Sequence, residues 1–254
     1  MKFLFLSFNF KIAAAMLLSA PGAKSSPEPK LRGAIYLESD ANNIQETSST
    51  STVKIVESDM NGLVEAFCGA AVAISEAFWQ NGGKHHYDGP DAYPQAACDA
   101  AYEQAMNALH GAYNYPDNVL FKPTLTTEPY TFRPSTQGAL SYFIGTDCLL
   151  KSGKAEDQFP PGNDGKGFKE YGFALANYRD GYSGISGCTW VPNSYVEGEN
   201  NGVAMGQVIF DRTEGTTTTV DKTFSFGVSN GGIVITGHHS SAVIGPEQST
   251  QYVS

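Results

Sequence analysis

Two imidazoles and two hydroxyls follow one another at His238-His239-Ser240-Ser241, and those side chains together can move a proton on a small substrate. A neutral imidazole takes up a proton near physiological pH, and a hydroxyl beside it can hold a water or a developing oxyanion. The run before them, Gly232-Ile233-Val234-Ile235-Thr236, is rich in β-branched residues and predicts a strand. Side chains alternate faces along a strand, so His239 shares one face with Ser241 while His238 shares the other with Ser240. Spacing alone leaves a blander reading open, in which both histidines only close a polar strand end.

The elements that must position these groups come earlier in the chain. With 254 residues, 41% of them hydrophobic, the chain can bury one good core, which argues for one domain. The formal charge of -10 and the lack of a sustained Lys/Arg run exclude nucleic acid and anionic membranes as expected partners. Lys2, the apolar runs around Phe3-Leu4-Phe5-Leu6 and Ala13 to Leu18, and the small residues near Ala23 read as a secretory signal over 1–23. Asn9 and Lys11 interrupt the apolar run, so no stable membrane insertion is expected once the leader is removed. Residues 24–56 read as a flexible Ser/Thr/Pro/Asn-rich linker, 57–245 as the folded domain and 246–254 as a tail. The expected destination is the secretory pathway or the extracellular or periplasmic space, with a signal-led route to a plastid as the alternative.

Helices open the domain and strands close it. Apolar spacing predicts helices from Ser58 to Gln80 and from Pro90 or Asp91 to His110, with a shorter one from Ser135 to Phe143 capped by Ser135. Between the first two, Lys84-His85-His86-Tyr87-Asp88 reads as a solvated loop rather than a metal cluster. Extended pieces are expected at Val119–Thr124 and Pro129–Arg133, then strands at Phe168–Arg179, Gly202–Arg212 and Thr216–Val228. The last of these leads through the hairpin signal Ser229-Asn230-Gly231-Gly232 into the final strand. Asp180–Asn201 reads as a long Gly/Asn-rich connection. Helices followed by an antiparallel meander define an α+β class. Cys68, Cys98, Cys148 and Cys188 allow three disulfide connectivities, of which Cys68 with Cys98 is preferred because both fall on the first two helices.

Four segments in this order resemble the iota-class carbonic anhydrases: Leu120-Phe121-Lys122-Pro123-Thr124, Ser141-Tyr142-Phe143-Ile144-Gly145, Ala204-Met205-Gly206 with Thr223-Phe224-Ser225-Phe226 behind it, and His238-His239-Ser240-Ser241. The resemblance spans roughly Asp59 to Ser241. It implies an NTF2-like (SnoaL-like) cone, in which a bent antiparallel sheet clasps a helical layer around a pocket. It also implies reversible hydration of carbon dioxide to bicarbonate with no cofactor and no metal, and a homodimer. Carried over by motif, the pocket residues are Thr124, Tyr142, His239 and Ser241, with His239 orienting water or accepting its proton and the three hydroxyls holding water and bicarbonate oxygens. Ala242-Val243 depart from the bulky apolar residue and proline that commonly follow in the family, and a single copy of the domain is present. A non-catalytic association or ligand-binding module is the alternative, since a cone alone does not define an activity. Acid/base chemistry on an organic substrate is a third reading, although no single Asp or Glu announces itself as its base.

Overall fold

The computed structural model describes residues 52–115, 117, 119–124, 126, 131–155, 170–176 and 184–243. The expected leader, the linker up to residue 51 and the tail lie outside them. Residues 54–55, at the end of the expected linker, form a two-residue strand, β1 (Lys54–Ile55), and Ile55 is fully buried.

Helix α1 (Glu57–Gln80) buries Met60, Val64, Phe67, Ala71, Ile74 and Phe78. Their alternating spacing of four and three keeps one apolar stripe facing inward. The Asp59 carboxylate accepts the Val56 amide at 3.1 Å, so the acid inside the first turn fixes the start of the helix. α1 is long and apolar enough to cross a bilayer, yet its stripe lies in the core with Ala101, Ala105 and Leu109. Those three residues belong to α2 (Gln95–Ala112), which begins later than its periodicity indicates. Gly89, at φ 75°, breaks the 3-10 segment His86–Ala92, and extended Pro94 then starts a fresh helix.

After β2 (Leu120–Lys122) come α3 (Thr136–Ile144), which Ser135 caps by accepting the Gly138 amide at 3.1 Å, and α4 (Thr146–Lys151). Four long strands follow: β3 (Ile185–Glu199), β4 (Asn201–Arg212), β5 (Thr217–Ser229) and β6 (Gly232–Ala242). The sheet order is β1-β3-β4-β5-β6-β2, antiparallel except where β2 runs parallel to β6. Register shifts at Ile185/Gly187, Pro192/Ser194 and Ser225/Phe226 bend the sheet, which curves over the helices without closing. The β5–β6 hairpin turns as expected, with Asn230 at φ 51° and Gly231 at φ 79°.

Four expectations for the fold differ in the structure. Most of the supposed Asp180–Asn201 connection is β3, which pairs with β4 over nearly its whole length. Its residues are largely exposed or half-buried on both sides, so no apolar alternation marks it, and Pro192 sits at a bulge. Where residues of the expected strand Phe168–Arg179 are described, 170–176, they form a turn rather than a strand. That turn locks onto α3: the Phe173 and Ala174 amides donate to the Tyr142 and Phe143 carbonyls at 2.9 and 3.1 Å. Gly145 and Gly172, both at φ 80°, permit the approach, since a Cβ on Gly172 would stand 2.4 Å from the Ile144 carbonyl carbon. Gly172→Ala is expected to cost about 1–3 kcal/mol, read as a lowered midpoint of denaturant unfolding.

The disulfides are Cys68–Cys188 and Cys98–Cys148, not Cys68–Cys98. α1 and α2 do pack together, but Cys68 meets β3 and Cys98 meets α4, so each bridge ties a helix to a later element. On the short segment between β2 and α3, the Arg133 amide donates to the Phe121 carbonyl at 2.8 Å. The buried Arg133 guanidinium meets Glu170 at 2.5 Å, and the other Glu170 oxygen accepts from Ser141 at 2.7 Å. Here the expected extended piece at Pro129–Arg133 is a bonded loop segment, in its described residues, without a strand partner of its own.

Candidate active site

Strand β6 carries the histidine and serine pairs, and its register decides which of them face the helices. Ile235 is fully buried, so strict alternation would bring His239 and Ser241 inward. It does not. Ser225 pairs with Gly237 while Phe226 pairs with Ile235, leaving Thr236 as an extra residue that flips the parity of everything after it. His238 is 1% exposed and Ser240 is fully buried, whereas His239 is exposed and Ser241 half-buried.

The inner face gathers a polar cluster within an aromatic shell. Tyr113, at the end of α2, pairs its hydroxyl with His238 Nδ1 at 2.9 Å, and Lys222 Nζ on β5 meets Nε2 at 2.8 Å. The Thr124 and Ser240 hydroxyls are hydrogen-bonded to each other. Phe121 stacks on the imidazole with centroids 4.7 Å apart, Phe224 lies at 4.5 Å and Phe67 meets it edge-on at 5.2 Å. Half-buried Tyr142 stacks on Phe173 at 4.8 Å and meets Phe121 edge-on at 5.5 Å, so Phe121 bridges Tyr142 and His238.

Of the four residues expected to converge, Thr124 and Tyr142 therefore belong to the inner face. His239 and Ser241 do not join them. They lie on the outer face with Met205, Gln207, Asp221 and Thr223, lining a cavity of about 560 Å³ whose lining also includes Gly206 and Lys222. Sequence reading did not single out His238, Ser240, Tyr113 or Lys222, which the inner face gathers as candidate site residues. A signal for Lys222 was available, because Val220, Phe224 and Phe226 share its parity and put a lysine on the core face of β5.

Burial governs the charges. It pulls the Lys222 amine down to about 7, and among the described residues no carboxylate forms an ion pair with it. Burial, then the Lys222 and His239 charges, hold His238 well below its ordinary value, so the imidazole is neutral. Burial keeps the Tyr113 hydroxyl protonated, with Tyr115 and Tyr142 adding to the effect. A Lys222 ammonium donates to Nε2, which leaves the imidazole proton on Nδ1 to donate to the Tyr113 oxygen. Loss of a proton from Lys222 lets both bonds reverse, so Tyr113, His238 and Lys222 can pass one proton along a line. Among the described residues no group of three His, Cys, Asp or Glu side chains could hold a metal ion.

A curved sheet clasping α1 and α2 over a polar, aromatic-walled site defines an NTF2-like cone. The profile of the metal-independent carbonic anhydrases matches residues 58–242, and the chain belongs to that family. A metal-independent carbonic anhydrase from Nostoc sp. (strain PCC 7120 / SAG 25.82 / UTEX 2576) is 32% identical over 190 residues, 74% of this chain and 73% of that protein. The crystal structure of a cyanobacterial iota-carbonic anhydrase complexed with bicarbonate is 30% identical, with 76% of this chain and 94% of that chain covered at a TM-score of 0.53. A member of the NTF2-like family from Streptomyces avermitilis is 9% identical, with 73% and 99% covered at a TM-score of 0.30.

Proposed function

We propose that the inner face of the cone is where this carbonic anhydrase hydrates carbon dioxide reversibly to bicarbonate, using side chains alone. The observation that carries this reading is the neutral His238 imidazole, clamped between Tyr113 and Lys222 on the same face as the Thr124–Ser240 hydroxyl pair. Hydration needs a nucleophilic water, an acceptor for its proton and donors for the charge that develops on oxygen. Thr124 and Ser240 hold the water and then the bicarbonate oxygens, and Tyr142 donates from the side. Phe121 and Phe224 supply an apolar wall that suits carbon dioxide. The leaving proton passes to the His238–Lys222 pair, whose amine titrates where the reaction runs in both directions. Thr124 and Tyr142 thus keep the roles the resemblance implies, while His238 and Ser240 take those assigned to His239 and Ser241.

Two wider readings go with this one. The outer face, with exposed Val191 and Met205, is the surface for a homodimer. Two disulfides support an oxidising compartment reached through the leader. Stopped-flow hydration of carbon dioxide by protein dialysed against a strong chelator is expected to show full activity, unchanged by added zinc. A dead but folded protein would favour the association module, and activity restored only by zinc would end the side-chain mechanism.

A further inference from the structure

Lys222 is an unusual group to find in a core. It is 3% exposed, it lies over the Phe67 ring with Nζ 5.1 Å from the centroid, and among the described residues its one polar contact is a neutral imidazole. Ser240 stands opposite it in the β5–β6 register, which places a hydroxyl, and through it Thr124, on the same face. A salt-bridged lysine is inert, but an amine with no carboxylate to hold its proton is a nucleophile.

We propose that Lys222 is a carbamylation site, at which the side-chain amine captures carbon dioxide itself. The Nζ lone pair attacks the carbon, a C–N bond forms, one C=O π bond shifts its electrons onto oxygen, and an N–H proton leaves to His238 Nε2, 2.8 Å away. The product is a carbamate anion on Nζ beside an imidazolium, with the Ser240 and Thr124 hydroxyls available to its oxygens. Atoms and charge balance with no other reactant. Modification replaces the proton acceptor of the site by an anion, so carbon dioxide would limit its own hydration when abundant.

The reaction needs the unprotonated amine, and burial brings that form within reach near neutral pH. The titratable groups facing Lys222 are His238 on β6 and, behind it, Tyr113 from α2, with His239 and Lys122 adjoining; from α1 the Phe67 ring lies against Nζ. An ordinary lysine near pH 7 is almost entirely protonated, so selectivity for Lys222 should be large.

The proposal rests on the reading above only in having carbon dioxide at this face, and its test does not need turnover. The full-length protein is equilibrated with ¹³C-bicarbonate at pH 7.5, treated with a trialkyloxonium salt to fix carbamates as esters, digested and mapped by mass spectrometry. The Lys222 peptide should carry the ¹³C label at least about tenfold above any other lysine, with occupancy falling as pH is lowered to 6. In ¹³C spectra of the untreated protein, a carbamate resonance should be present and should vanish in Lys222→Arg. Label spread over surface lysines, or absent from the Lys222 peptide in the wild-type protein, overturns the proposal whether or not that variant folds. An inactive protein that carries the label would refute the proposed function alone; an active one that lacks it would refute carbamylation alone.

Discussion

Exchange of His238 for glutamine is expected to lower kcat/KM for carbon dioxide hydration by about 100-fold or more, while the same exchange at His239 leaves it essentially unchanged. Glutamine fills much of the imidazole volume and can still bond both Tyr113 and Lys222, so the cluster keeps its shape and loses only the ring that accepts and passes a proton. His239 lies exposed on the outer face, while the Thr124–Ser240 hydroxyl pair lies on the inner one. The comparison is sharp because the two residues are neighbours in sequence and differ only in face. Stopped-flow rates, with circular dichroism to establish folding, decide it. Equal losses at both positions would mean that the two faces act together; loss at His239 alone would move the chemistry to the outer cavity.

Lys222→Met is expected to make the protein more stable and much less active. Burial lowers the amine from 10.5 to about 7, so between those values the unfolded chain binds a proton that the folded chain does not. Stability from this group therefore rises with pH across that window. Below about pH 7 the folded protein carries the full penalty of a buried charge, on the order of 5 kcal/mol. Methionine removes the charge and fills similar space, although it leaves His238 Nε2 without its partner, at a cost of about 1–3 kcal/mol. At pH 6 the variant should unfold at a higher denaturant concentration than the wild type, and its stability should no longer climb between pH 7 and 10. A variant less stable at pH 6 would show that Lys222 is a structural tie. Loss of activity together with a gain in stability is what a functional lysine predicts.

Much of the fold was legible from local chemistry. The stripe from Met60 to Phe78, the Ser135 cap, the Asn230-Gly231 turn and the β-branched run into β6 each follow a rule that acts within a few residues. The features that escaped depend on distant partners. β3 has no apolar alternation because much of it carries exposed or half-buried residues on both faces. Cys68 bonds a residue 120 positions away, which helix pairing alone could not indicate. The site depends on the most compact of these. One unpaired residue at Thr236 exchanges the faces of His238 and His239, and Gly237 beside it hints at a bulge without saying which residue is left unpaired. Motif spacing marked the window His238–Ser241, and the sheet register chose which half of it faces the helices.

Which imidazole meets the substrate is read most directly from a bicarbonate titration of chelator-treated protein labelled with ¹³C at histidine Cε1. The resonance of His238 should move and saturate while that of His239 holds still. Movement of His239 with a fixed His238 would contradict the placement of the active site on the inner face.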